Sequence, residues 1–279
     1  MTLYVVATPI GNLSDITLRA VETLRSVDRV VAEDTRRARA LLSHLGISQK
    51  PLVCVEAHAS AREVDAVVQR LSTGENVALL TDAGMPSVSD PGADLVTAAV
   101  RAGVAVVPIP GPSAVTAAVG VSGLVRGGFR FFGFLPRGGT ARGEALATLV
   151  ATREPVVFFE APQRMAATLE ELAALCPERE MCVAREMTKM HEEFARGRVR
   201  ELAAAPREWL GEITVVLGVD EAAAAGEVTD AQVEARISEA VARGETAKTA
   251  ATRIAAWSGR PRREIYARML AATGKREEK

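Results

Sequence analysis

Between Met1 and Gly111 the chain carries five short apolar runs, most of them β-branched, separated by stretches with helical spacing. The runs are Leu3 to Ala7, Arg29 to Ala32, Leu52 to Val55, Val77 to Leu80 and Val104 to Val107. Runs this short, bounded by turn formers, read as strands buried on both faces. The stretches between them read as helices. One runs from about Asp15 to Val27, capped by Ser14, with Leu18, Val21 and Leu24 inward. A second has Ala38, Leu41, Leu42 and Leu45 on its apolar face and stops at Gly46. A third runs from Arg62 to Leu71, with Val64, Val67, Val68 and Leu71 inward. A fourth is opened by Asp90-Pro91-Gly92 and runs through Val100. Strand and helix in strict alternation mean βαβ units and a parallel sheet, here an α/β domain over residues 1–112.

Three of the five runs end in glycine- and proline-rich turns: Thr8-Pro9-Ile10-Gly11-Asn12, Thr81-Asp82-Ala83-Gly84-Met85-Pro86 and Pro108-Ile109-Pro110-Gly111-Pro112-Ser113. In an open α/β sheet, ligands sit in the crevice beyond the carboxyl ends of the strands, so three stiff turns there predict one small-molecule site. None contains GxGxxG, and Pro9 and Pro110 lack the N–H a phosphate cradle uses. The expected ligand is nucleoside-like and carries no phosphates. Asp82 fits a carboxylate that accepts from ribose hydroxyls or an ammonium group, and equally a turn former bonded to its own backbone. Ser113 fits both a ligand contact and a helix N-cap.

Beyond Ser113 the pattern changes to a mixed α+β domain over residues 113–220. The run Ala114 to Val125, broken by Gly120, Ser122 and Gly123, reads as a buried helix and turn. Phe129 to Leu135 is the most aromatic stretch, and Pro136-Arg137-Gly138-Gly139 reads as a polar loop. Strands are expected at Pro155 to Phe159, Met181 to Ala184 and Gly211 to Val219, with a hairpin turn at Arg196-Gly197-Arg198. Charged groups cluster at further strand ends: Glu33-Asp34-Thr35-Arg36-Arg37, Phe159 to Arg164, and Arg185 to Glu193 with His191 among Glu186, Lys189 and Glu192.

Residues 221–279 show no strand pattern. Val233, Ile237 and Val241 mark one helix, Ala250, Ile254 and Trp257 a second capped by Thr246, and Ile265, Tyr266, Met269 and Leu270 a third after the turn Ser258 to Pro261. Lys248, Arg253, Arg260, Arg262, Arg263, Arg268, Lys275, Arg276 and Lys279 face only Glu264, Glu277 and Glu278 late in this region, a basic helix-turn-helix-like appendage.

The net charge is −1, so a nucleic-acid partner cannot be read from the whole-chain balance and would have to be met by segregated charge. Cys54, Cys176 and Cys182 are too scattered for a disulfide framework or a zinc site, and no metal is expected. Absence of a leader pattern and of a membrane-length apolar run leads to the expectation of a cytoplasmic protein.

Eight segments, in chain order, resemble the tetrapyrrole methylase superfamily of S-adenosylmethionine-dependent methyltransferases. They are Val5 to Thr17, Ala32 to Arg36, Thr81 to Gly92, Pro108 to Ala114, Phe131 to Arg137, Phe159 to Arg164, Arg185 to Glu193 and Gly211 to Val216. Within that superfamily the chain is most similar to members that modify ribosomal RNA. The resemblance implies a two-domain class III methyltransferase α/β fold with a small helical C-terminal extension, a homodimer, and S-adenosyl-L-methionine bound without metal between the domains. It implies 2′-O-methylation of a cytidine in the decoding region of 16S rRNA, on free RNA or the 30S subunit. The family's cofactor positions fall on Ile10, Asp82, Met85, Ser113 and Ala114, with Pro9, Gly11 and Gly84 beside them; Phe159, Glu160, Ala161, Glu212, Ile213 and Thr214 close the pocket from the second domain.

A ribose hydroxyl is a poor nucleophile at neutral pH, so a base or a strong orienting acceptor is needed. Glu186, Lys189, His191 and Glu192 are the candidates, with Asp34 competing. Arg36, Arg137, Arg164 and the tail residues Arg260, Arg262 and Arg263 are the expected phosphate contacts. Two other readings stay open: a methyltransferase acting on a tetrapyrrole or other small metabolite, and a non-enzymatic RNA-binding assembly factor with a vestigial cleft.

Overall fold

The computed structural model describes residues 1–55, 60–89, 92–219, 229–258 and 260–273, with the side chains of Ala256 and Trp257 also left aside. The expectations placed on Asp90, Pro91, the Trp257 side chain, Gly259, Lys275, Arg276, Glu277, Glu278 and Lys279 lie outside the described residues. The chain divides into two compact units, residues 1–220 and 221–279.

The first unit opens with five parallel strands: β1 (Thr2–Val6), β2 (Arg29–Ala32), β3 (Leu52–Cys54), β4 (Val77–Leu80) and β5 (Ala105–Ile109), in spatial order β3-β2-β4-β1-β5. Successive side chains go to opposite faces. Val30 and Leu80 join the cluster under α1 (Leu18–Ser26) and α2 (Thr35–His44), while Val31 and Leu79 join the one under α3 (Ala61–Ser72) and α4 (Ala93–Arg101). Both faces are covered, which is why these strands read as continuous apolar runs. Gly46, at φ +66°, ends α2 as expected, with Ile47 N–H donating back to Leu42 O.

Two local expectations are corrected here. Asn12 caps a 3-10 turn over Leu13–Asp15, and Thr17, not Ser14, caps α1 by accepting from Ala20 N–H. Leu24 is buried as expected, but Leu18, the first residue of α1, is 84% exposed, and Ala20 and Thr23 take the inward positions beside Leu24.

A second sheet of order β6-β7-β10-β8-β9 follows α5 (Ala114–Ser122). Its strands are β6 (Arg130–Phe134), β7 (Val156–Glu160), β8 (Glu180–Arg185), β9 (Glu193–Arg198) and β10 (Ile213–Leu217); β6 and β7 are parallel and the other pairs antiparallel. One face packs on α6 (Gly139–Ala151), α7 (Pro162–Leu175) and α8 (Val199–Ala204), through Phe158, Val215, Leu149, Met165 and Leu169. The other packs on α5 through Val157, Cys182, Val216 and Ala118, and takes in Ile10 from the first turn. Arg196-Gly197-Arg198 lies inside β9, paired with β8, and the hairpin turn is the charged segment 186–192 instead. Lone glycine between arginines signalled a turn, but cross-strand pairing overrode it.

The second unit consists of α9 (Asp230–Ala242), α10 (Ala247–Ser258) and α11 (Arg262–Ala272) around Val233, Ile237, Ala250, Ile254, Ile265 and Met269. Thr229 and Gln232 form a capping box on α9, and Thr246 accepts from Thr249 N–H at the start of α10.

Candidate functional site

The three turns of the first sheet meet one another. Thr8 and Gly84 exchange backbone hydrogen bonds of 2.8 and 3.0 Å, and the Thr8 hydroxyl donates to Thr81 O at 3.1 Å. Ala7 N–H donates to Ile109 O. A Cβ on Gly111 would stand 3.0 Å from Ala7 Cβ, so a side chain there would press the third turn against the first. Gly84 has φ +81°, which glycine adopts without strain.

Beyond these turns lies a cavity of about 390 Å³, in the range of small-molecule sites. Ile10 lines it from the first turn, Asp82, Gly84 and Met85 from the second, Ser113 and Ala114 from the third. Phe159, Glu160 and Ala161 line it from the end of β7, and Glu212, Ile213 and Thr214 from the start of β10. Pro9 and Gly11 lie outside this lining. Pro9 borders a second cavity, while Gly11 presses against the hairpin turn, where its Cβ would stand 2.5 Å from Lys189 Cγ and 2.7 Å from Thr188 Oγ1. Asn12 N–H donates to that same Thr188 oxygen at 3.0 Å. The first turn is thus clamped to the second sheet's hairpin on one side and to Gly84 on the other.

The wall is mainly apolar, with Phe134 and Phe159 paired at 5.3 Å between ring centres. Asp82 and Glu212 supply carboxylates, and Arg37 supplies a cation that is already paired with Asp82 at 3.3 Å. Ser113 stands at the N-cap position of α5, yet its side chain makes no capping hydrogen bond. Sequence reasoning did not single out Arg37, Val88, Ser89, Phe134, Pro162 or Gly211, which also line the cavity. For Arg37 a signal existed: it follows Glu33-Asp34-Thr35-Arg36 one helical step into α2.

Glu160 contributes its backbone edge, because its carboxylate is turned inward and only 1% of the residue is exposed. Arg164 pairs with it, Arg142 lies at 3.6 Å, and the Thr168 hydroxyl and Ala161 N–H donate to it at 2.7 and 2.8 Å. Arg142 also pairs with Glu171 at 2.6 Å, and that hydrogen bond raises its pKa further. Arg164 donates to Leu135 O as well, so its guanidinium is committed to the fold rather than free for a phosphate.

The hairpin cluster is equally self-contained. Lys189 Nζ donates to Glu186 at 2.8 Å and to Glu212 at 3.0 Å, and Glu212 N–H donates to Glu186 at 2.9 Å. The Lys189 hydrogen bond, with the Glu212 N–H, pulls the Glu186 carboxyl below its usual range. Burial pulls Lys189 down, but its two carboxylate partners outweigh that and leave it above its ordinary value. Lys189 is therefore charged at neutral pH and is no base. Glu192 accepts from Thr188 N–H at 2.6 Å, and both His191 and Glu192 are exposed.

Asp34 stands on the other side, at the N-cap of α2. The Arg36 side chain, then its backbone N–H, holds the Asp34 carboxyl down at about 2. Asp34 borders the second cavity, of about 240 Å³, which shares Arg37 and Asp82 with the first. Of the expected phosphate contacts, Arg36 is tied to Asp34, Arg137 is exposed, and Arg260 pairs with Asp230 and Glu264. Arg262 and Arg263 are exposed at the start of α11, with no ion-pair partner among the described residues.

A family model described as tetrapyrrole (corrin/porphyrin) methylases matches residues 2–203. Among curated relatives, the chain is 47% identical to the ribosomal RNA small subunit methyltransferase I of Thermotoga maritima, over 77% of this chain and 97% of that protein. It is 39% identical to the protein of the same name from Halalkalibacterium halodurans, over 95% and 93%. Similar solved structures include a diphthine synthase (TM-score 0.61, 19% identity, 78% of this chain and 90% of the other). Another is a Thermus thermophilus uroporphyrin-III C-methyltransferase complexed with S-adenosylhomocysteine (TM-score 0.54, 21% identity, 78% and 92%). At these identities the structures speak for the fold alone.

Proposed function

This chain belongs to the tetrapyrrole (corrin/porphyrin) methylase family, and from that premise we propose that it 2′-O-methylates a cytidine in the decoding region of 16S rRNA. The methyl donor is S-adenosyl-L-methionine, as in the family. The single observation that carries the reading is the 390 Å³ cavity on which the turns of both sheets converge.

The residues fit that donor. An apolar wall with the Phe134–Phe159 pair suits an adenine ring, and the Asp82 and Glu212 carboxylates suit a cationic ligand. The described lining offers no cluster of cations for a polyphosphate: Arg37 is matched by Asp82, and Pro162 lacks an N–H group. When bound, S-adenosylmethionine supplies a methyl group on a sulfonium. Ile10, Gly84, Met85, Ser113 and Ala114 hold the donor from the first sheet, and Phe159, Ala161, Ile213 and Thr214 shut water out from the second. Holding donor and acceptor together supplies much of the rate. Asp34, ionised at neutral pH, orients the acceptor by accepting a hydrogen bond. The Glu186–Lys189–Glu212 group, two carboxylates sharing one ammonium, positions the hairpin and the start of β10.

The RNA backbone is met by Arg137 and by Arg262 and Arg263. The last two stand at the positive end of the α11 dipole, an arrangement that an anion relieves. The protein works as a homodimer in the cytoplasm. Among the described residues no helix is long and apolar enough to cross a membrane.

The test is transfer of labelled methyl to purified 30S subunits and to naked rRNA, with the product nucleotide mapped. A 2′-O-methylcytidine in the decoding region is expected. Transfer to another position, or none, overturns the reading. Removal of residues 225–279 is expected to weaken RNA binding and its salt dependence while leaving S-adenosylhomocysteine affinity unchanged.

A further inference from the structure

We propose that the second cavity receives the sugar and base of one unstacked nucleotide, and that the Thr81 hydroxyl is the group that anchors it. This rests on the reading of the protein as an RNA methyltransferase and names the acceptor subsite beside the donor cavity.

The cavity, about 240 Å³, is walled by Leu13, Ala38, Leu41 and Leu80 and carries polar groups from Asp34, Arg37 and Thr81. Arg37 and Asp82 border both cavities, so the two are neighbours that share the Arg37–Asp82 pair as a common border. Its volume admits a single nucleoside rather than a stretch of chain. An enzyme acting on one nucleotide of a folded RNA takes that nucleotide out of its stack.

Thr81 is 5% exposed, and its Oγ1 is the buried side-chain atom left without a hydrogen-bond partner among the described residues. Its backbone carbonyl accepts from Thr8, so the residue is fixed while its hydroxyl is left over. A buried hydroxyl with no partner lowers stability, and valine would fill the same space without that cost. The hydroxyl can both donate to and accept from a ribose hydroxyl or a pyrimidine edge. Asp34, across the same cavity, adds an acceptor for an exocyclic amine or a sugar hydroxyl.

The test compares wild type, Thr81→Val and Thr81→Ser in three measurements: melting temperature, S-adenosylhomocysteine affinity by calorimetry, and kcat/KM for methyl transfer to 30S subunits. Thr81→Val is expected to melt no lower than wild type and to bind S-adenosylhomocysteine equally well. Its kcat/KM is expected to fall about five- to tenfold, the loss of one hydrogen bond, and Thr81→Ser is expected to restore most of it. An unchanged kcat/KM in Thr81→Val overturns the proposal. So does a loss accompanied by an equal loss of S-adenosylhomocysteine binding or by a lower melting temperature. Wild type that transfers no methyl to any rRNA overturns the underlying reading as well, a result told apart by its appearance before any substitution.

Discussion

Both sheets bring charged strand-end turns to the same cavity, but they commit those charges differently. On the second sheet's side, Glu160 is buried between Arg142 and Arg164, and Glu186, Lys189 and Glu212 satisfy one another. On the first sheet's side, exposed Arg37 and half-buried Asp82 form a pair bordering the cavity, and Thr81 Oγ1 has no partner among the described residues. The second side is therefore built for position and the first for contact with what binds. Substitutions on the two sides should separate accordingly, with stability moving on one and binding or turnover on the other.

The largest effect is expected at Glu160. Glu160→Ala leaves Arg164 and Thr168 without their buried acceptor, and breaking such a network costs about 3 kcal/mol or more. Urea unfolding should show a lower midpoint with an unchanged slope. A midpoint like wild type would mean that the second side's charges are as dispensable as surface pairs, and the comparison would fail. Asp82→Asn is the matching probe on the first side. It should weaken S-adenosylhomocysteine binding about tenfold, as loss of a charge-assisted hydrogen bond does, and leave unfolding by urea nearly unchanged. The reverse pattern would place Asp82 among the structural groups.

Gly11→Ala comes next and sits on the join. The added Cβ must push back Lys189 and Thr188, and overpacking of this kind costs about 1–3 kcal/mol. Because Ile10 lines the donor cavity one residue away, S-adenosylhomocysteine affinity should fall with stability. Gly120→Ala, inside α5 with nothing from outside its own helix turn within 4 Å of the new Cβ among the described residues, is the control and should stabilise by about 0.5–1 kcal/mol. Equal effects at the two glycines would show that the hairpin does not clamp the first turn.

This asymmetry bears on what the sequence could reveal. The first sheet was legible because burial on both faces leaves unbroken β-branched runs, and because turns at strand ends need Pro and Gly in the open. The parallel strands and the three converging turns follow from those two facts. The second sheet has a bulge between Phe131 and Phe134 and mixed strand directions, so its pattern is less regular. Its charged turns looked like a reactive cluster in sequence, since like and unlike charges crowd together at Arg185 to Glu193. Only the partners in space show that Lys189 is shared by two carboxylates and that Arg164 points at Glu160. Arg37 went the other way: it read as one more rim cation beside Arg36, and the turn of α2 carries it to the cavity while Arg36 stays on Asp34.

The smallest and sharpest test concerns Asp34, the candidate base that lies on the contact side. Its pKa is about 2 when folded against 3.8 for the free side chain. A depressed carboxyl contributes stability above the unfolded value, and that contribution is lost as pH falls from about 4 toward 2. Asn caps a helix nearly as well as Asp, so Asp34→Asn should be only slightly less stable near neutrality, with the gap closing as the pH falls through that window. A carboxylate this acidic is a weak base at pH 7. If it orients the acceptor rather than taking its proton, Asp34→Asn should lower kcat by a similar factor at every pH from 5 to 8 and leave the shape of the profile unaltered. An acid limb in wild type with a midpoint above pH 4 that disappears in Asp34→Asn would show instead that Asp34 titrates during turnover. The base would then stand on the first sheet, and the contact side would carry the proton transfer as well as the binding.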